Sequence, residues 1–129
     1  MVASSLGRGK PLILHVEDNV AQLQAMRSIL EASGFSVLQA TTTEEALRFC
    51  HETPVSLVLA DHLLSDSGGT EFAGQIKRLK PNLPVILHSA ATPSSLRHLD
   101  GFIHKGEPVS TLLAFIRNMI YRFWSERVG

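Results

Sequence analysis

Two stretches, "PLILHV" at residues 11–16 and "VSLVLAD" at 55–61, constrain the fold more than any others. Each is a nearly continuous apolar run bounded by turn-forming or acidic residues. Neither is long enough for a buried helix. Runs of this length without polar alternation fit strands buried on both faces. Both faces of a strand are covered when helices flank a parallel sheet on each side, so the sequence between the runs should supply helices.

It does. In "NVAQLQAMRSILEASG", Val20, Leu23, Met26 or Arg27, and Leu30 recur at three and four residues, and Gly34 offers a stop. "FSVLQA" (35–40) reads as a strand. "TTTEEALRFCHE" opens with threonines before Glu44 and Glu45, a capping signature with acids in the first turn. "TEFAGQIKRLKP" places Phe72, Ile76 and Leu79 on one face and ends before Pro81. "LPVILHSA" reads as a strand, "ATPSSLRHL" as a short weak segment, and "DGFIHKG" as a last short strand. "EPVSTLLAFIRNMIYRFW" is a long helix with Val109, Leu112, Leu113, Ile116, Ile120 and Phe123 facing in. Five alternations of strand and helix predict an α/β fold, a doubly wound parallel sheet.

Composition narrows the functional classes. The 129 residues suit one domain, with residues 1–10 frayed. Twelve basic residues balance twelve acidic ones, so no nucleic-acid surface is expected. The single cysteine, Cys50, excludes an internal disulfide and reads as a small core residue. The N-terminal apolar run is too short for a signal or membrane span, so a soluble, cytoplasmic protein is expected.

In open parallel sheets, chemistry collects at the carboxyl ends of the strands. Here the first strand ends on Glu17 and Asp18, the third on Asp61, the fourth on Ser89 and the fifth on Lys105. Clustered carboxylates repel one another unless a cation sits among them. Oxygen ligands select a hard ion such as Mg²⁺, which keeps several waters. A metal, a fixed lysine and a hydroxyl donor around a carboxylate nucleophile make up a phosphoryl-transfer kit.

Five stretches then carry a family resemblance: "ILHVEDN", "MRSILEASGFSVLQATTTEEAL", "LVLADHLLSDSGGTEF", "VILHSA" and "FIHKG". In this order and spacing the sequence resembles the response-regulator receiver domain, the CheY-like phospho-acceptor half of two-component signalling. The resemblance covers about residues 11–125 and leaves no room for an output domain in this chain. It implies a flavodoxin-like, five-stranded sheet of order 2-1-3-4-5. It implies phosphorylation at Asp61, and Mg²⁺ held by Asp18, Asp61 and the backbone carbonyl of Leu63, with Glu17 acting directly or through water. Ser89 would bind the phosphoryl group, Lys105 would pair with it, and Phe102 would be the aromatic that swings inward. The implied donor is a histidine kinase or a histidine phosphotransfer protein, and the implied output is a downstream protein target. No nucleic acid or membrane is implied, and the state is monomer or weak homodimer. Catalysis would be limited to self-catalysed phosphotransfer and slow autodephosphorylation.

Three positions depart from the family. Gly106 follows Lys105 where proline is usual, and a trans bond is expected there. Ser65 stands four residues after Asp61 in place of a proline. Phe102 lies only thirteen positions after Ser89, which leaves a shortened fourth-helix region of about two turns. Gly106 and the short fourth-helix region favour a rival reading, a receiver-like interaction module that does not use phosphorylation, whereas the full acid set and Lys105 count against it. A haloacid-dehalogenase-type hydrolase would need an aspartate two residues after Asp61, where Leu63 stands. Of the six histidines, His88 and His104 each precede a site residue. Strand alternation is expected to turn them away from the site, as neutral packing imidazoles.

Overall fold

The computed structural model describes residues 9–61 and 69–128. Five parallel strands form one sheet of order β2-β1-β3-β4-β5. They are β1 (Leu12–Val16), β2 (Ser36–Ala40), β3 (Leu57–Ala60), β4 (Val85–Ser89) and β5 (Gly101–His104). Four helices are described: α1 (Val20–Ala32), α2 (Thr43–Glu52), α3 (Gly69–Leu79) and α4 (Val109–Val128). The expected doubly wound sheet and its strand order are present. The expected frayed N-terminus falls, except for residues 9 and 10, outside the described residues.

Local chemistry accounts for the helix ends. Asn19 caps α1, its side-chain oxygen accepting from Gln22 N–H at 3.0 Å. Gly34 adopts φ 97 and lets the chain leave α1, with Phe35 N–H donating to Leu30 O at 3.1 Å. Thr42 Oγ1 accepts from Glu45 N–H at 3.1 Å, and Glu45 Oε1 accepts from Thr41 N–H at 2.9 Å. The threonine–glutamate signature is therefore a cap at Thr42, with the glutamate's return bond reaching one residue further back, to Thr41.

Side chains alternate strictly across the sheet and divide the core in two. Leu14, Val16, Val58, Ala60, Val85 and Leu87 point toward α2 and α3, where Phe72, Ala73 and Ile76 meet them. Ile13, Leu57, Leu59, Ile86 and Ile103 point the other way, against Leu30 of α1 and Leu112, Ile116 and Ile120 of α4. Cys50 is buried on the α2/α3 side, and burial pushes its thiol up to about 11. Trp124 packs at the edge of the α1/α4 side, its indole N–H donating to Ser56 O at 3.1 Å. Tyr121 is exposed. Val20, Leu79 and Val109, read as inward-facing, are exposed instead. Each lies at a helix end, where the apolar stripe runs past the sheet.

The segment between β4 and β5 is shorter than the two turns expected. Residues 90–100 contain no helix at all. Pro93 lacks an N–H and disfavours helical geometry in the residue before it. His98 adopts φ 68, and its ring lies over Gly74 of α3, where a Cβ would stand 3.0 Å from the imidazole. The segment is pinned at its end by Asp100, whose carboxylate accepts from Lys77 Nζ at 2.6 Å and from Val85 N–H at 2.8 Å. Among the described residues, no helix is long and apolar enough to cross a membrane.

Candidate functional site

The register of the sheet brings Glu17, Asp61 and Lys105 together at its carboxyl edge. His15 pairs with Leu59, and Val16 with Ala60, so the residues that follow β1 and β3 leave the sheet side by side. Asp61 N–H donates to Val16 O at 3.1 Å and fixes this exit. Lys105 follows β5, and its N–H donates to Ser89 O at 2.8 Å. By alternation, Glu17, Asp61 and Lys105 continue the α1/α4 side of the sheet.

The Lys105 ammonium lies between the two carboxylates. Its Nζ is 3.0 Å from Asp61 Oδ2 and 3.4 Å from Glu17 Oε1. A third, shorter contact of 2.7 Å runs to Gln22 Oε1. Glu17 is 2% exposed, and its other oxygen accepts from Asn19 N–H at 3.2 Å. Burial raises the Glu17 carboxyl above its ordinary range, and Asp61, within hydrogen-bonding reach, raises it further. Lys105 opposes both effects. Two acids that resist sharing one negative corner, with an ammonium between them, mark a place that demands a cation.

Asp18 stands apart. It is exposed on the rim just after Glu17. Among the described residues no group of three His, Cys, Asp or Glu side chains is gathered closely enough to hold a metal. The backbone carbonyl of Leu63 lies outside the described residues, as does Ser65.

Ser89 and Phe102 occupy the opposite side of the sheet. Ser89 is 0% exposed, and its hydroxyl accepts from Ala91 N–H at 3.2 Å. Phe102 is half-buried and packs against the α2/α3 core. The site therefore straddles the sheet, with its charges on one side and its hydroxyl and aromatic ring on the other.

This division corrects the reading of one histidine. His88 does turn away from Ser89, but it thereby shares a side with Asp61 and Lys105. Burial lowers both His15 and His88 to about 4, and each also feels the Lys105 charge. Both are neutral at pH 7. The Gln39 amide donates to Nδ1 of His15 at 3.2 Å and to Leu23 O at 2.7 Å, while its oxygen accepts from Arg27 Nε at 3.2 Å. That network assigns the His15 proton to Nε2. His104 is exposed, and its Nδ1 accepts from Gly106 N–H at 2.8 Å. No cis bond occurs among the described residues, so Lys105–Gly106 is trans.

Gln22 is the site residue that the sequence did not disclose. On an amphipathic helix, a glutamine reads as solvated surface. The signal available was positional, since the first turn of a helix that follows a strand faces that strand's carboxyl end.

With this geometry in place, known proteins add a consistent set of likenesses. The sequence model of a family described as "Response regulator receiver domain" matches residues 13–117. The chain is 31% identical over 83 residues to the transcriptional regulatory protein ZraR of Salmonella typhimurium, a match covering 64% of this chain and 19% of that protein. It is 36% identical over 84 residues to the transcriptional regulatory protein KdpE of Mycobacterium tuberculosis, covering 65% of this chain and 37% of that protein. The chain thus spans well under half the length of either relative. A CheY-like response regulator receiver domain protein from Methanospirillum hungatei JF-1 superposes with a TM-score of 0.85 at 28% identity, covering 94% of this chain and 100% of that one. The response regulator protein TrrA from Thermotoga maritima, solved in complex with Mg(2+)-BeF, shares the fold with a TM-score of 0.79 at 24% identity, covering 84% of this chain and 98% of that one.

Proposed function

Because this chain belongs to the response regulator receiver domain family of two-component signalling, we propose that it takes a phosphoryl group onto Asp61 from a phosphohistidine of a partner kinase or phosphotransfer protein. The observation that carries the reading is the Lys105 ammonium between the Asp61 and Glu17 carboxylates at one strand-end corner. An Asp61 oxygen would attack phosphorus, and the P–N bond to the donor imidazole would break. The imidazole would leave as it gains a proton. Lys105 is placed to meet the negative oxygens of the transferred group, and Ser89 to donate a hydrogen bond to one of them after its hydroxyl turns.

The donor set fits Mg²⁺. It is all oxygen, and Glu17 and Asp61 already crowd where a hard cation would be welcome. Asp18 on the adjoining rim would complete the ligands by turning inward, with the Leu63 carbonyl as the further ligand the family implies. When bound, Mg²⁺ would neutralise charge on the phosphoryl oxygens. The solved TrrA receiver, crystallised with Mg(2+)-BeF, supports the same chemistry by likeness of fold.

The receiver unit we take as residues 11–125. Its phosphorylation would bias the loops after β3 and β4 between two states, with Phe102 following Ser89, and a downstream protein would read the result. The reaction would stay with self-phosphorylation and slow loss of the acyl phosphate.

Incubation with acetyl phosphate or phosphoramidate and Mg²⁺ tests this. One phosphoryl group should appear on the wild type, be removed by hydroxylamine, and be absent in Asp61→Ala. If neither a phosphodonor nor beryllium fluoride modifies the wild type, the chain works instead as an interaction module independent of phosphate.

A further inference from the structure

Three acceptors surround Lys105, and the neutral one is closest. Gln22 Oε1 lies 2.7 Å from Nζ, against 3.0 Å for Asp61 and 3.4 Å for Glu17. Charge alone predicts the reverse order, since a carboxylate attracts an ammonium more strongly than an amide oxygen does. The backbone from which this exposed side chain leaves is itself fixed. Asn19 caps α1 through the Gln22 N–H, which fixes where the glutamine leaves the helix. From there its side chain reaches over the strand ends to a lysine 83 residues away in sequence.

We infer that Gln22 is a positioning residue for Lys105, drawing the ammonium off the Glu17–Asp61 pair and so leaving that pair open to a divalent cation. The inference rests on the receiver reading above. An ammonium and a metal ion compete for the same two carboxylates. With Gln22 present, the ammonium displaced by a metal keeps its shortest contact. Without that amide, the ammonium would settle on the acids, and a metal would have to expel it with nothing to receive it. Lys105 also stays within reach of Asp61, where a phosphoryl group would need it. The departure at Gly106 makes a second tether useful. The loop bearing Lys105 is there held by the His104 ring in place of a proline.

The test is Mg²⁺ affinity measured by calorimetric titration of the whole chain, combined with a double-mutant cycle. Gln22→Leu keeps the bulk and removes the acceptor. It should weaken Mg²⁺ binding on the order of tenfold, the scale of one hydrogen bond to a charged group. In a Lys105→Ala background the same substitution should change nothing, since the amide would have no ammonium to draw. Gln22→Glu should tighten binding more than Gln24→Glu, which adds the same charge two residues on, at about 200° around the helix. The inference is overturned if Gln22→Leu leaves affinity unchanged or improves it. It is equally overturned if the loss is the same with and without Lys105, or if both glutamate variants gain alike. A wild type that binds no Mg²⁺ at all removes the receiver reading, and this inference with it.

Discussion

On the α1/α4 side of the sheet, the carboxyl edge carries Glu17, Asp61 and Lys105 above two buried or half-buried histidines; on the α2/α3 side, the same edge carries Ser89 and Phe102 above aliphatic residues. The first side is a set of mutually dependent charges. The second is an ordinary core that ends in one hydroxyl. The two sides meet in the backbone, where the Lys105 N–H donates to the Ser89 carbonyl. The contrast teaches that sensitivity to pH, cations and substitution should be lopsided.

The largest effect should come from acid. His15 falls from an ordinary value of 6.5 to about 4 in the folded chain. Between those values the unfolded chain binds the extra proton, so stability should drop as pH falls from 6.5 toward 4. The loss from His15 alone is on the order of 3 kcal/mol across that window. The raised Glu17 carboxyl works in the opposite sense, since its contribution is present in acid and is lost as pH rises through its folded value. Denaturant melts without divalent cation, comparing wild type with His15→Gln, isolate the histidine. Parallel pH profiles for the two proteins would contradict the buried neutral imidazole.

Next in size is Lys105→Met, which leaves two carboxylates facing each other. It should cost about 2 kcal/mol at pH 7 and less at pH 5, as the raised Glu17 carboxyl takes up its proton. Urea unfolding at the two pH values measures this, and an equal cost at both would mean the lysine acts by packing.

Gly106→Pro should be milder. It removes the N–H that His104 accepts and leaves the fold intact, with a cost of about 1 kcal/mol. Its mark should appear in kinetics, as a change in the rate of labelling by acetyl phosphate. Unchanged rates would show that the His104–Gly106 contact does not govern where Lys105 sits.

Ser89→Ala should be the smallest in stability, under about 1 kcal/mol, because the hydroxyl's one described bond is to the N–H of an exposed residue. A loss as large as that of Lys105→Met would erase the contrast between the two sides.

Much of this was legible in the sequence because parallel strands buried twice are continuous apolar runs, and the residue after each run sits at the carboxyl edge of the sheet. That logic yielded Glu17, Asp61, Ser89 and Lys105 as strand-end residues and the order of elements along the chain. It did not separate them by side, although counting parity from Ile13, Leu59, Ile86 and Ile103 would have done so. His88 was misread for that reason. Gln22 was out of reach because its role is a contact between distant segments. Asp18 was grouped with Glu17 by adjacency, yet neighbours in an extended segment point apart, and only Glu17 continues the inward side. In residues 90–100, the helix expected from the resemblance yields to Pro93 and to the left-handed His98.

That crossover also bears on how the chain finds its fold. Parallel strands are commonly joined by a dozen or more residues, with a helix between. Here eleven residues, 90–100, suffice. A loop this short closes on a time scale of tens of nanoseconds and at small entropic cost. The β4–β5 pair, elsewhere a long-range contact, becomes almost local in this chain. The outer edge of the sheet should therefore register early in folding, and the pairing of β1 with β3, across the whole of α1, β2 and α2, should be the slow event. Substitutions in residues 90–100 would then alter the refolding rate, and those in β1 would set the barrier.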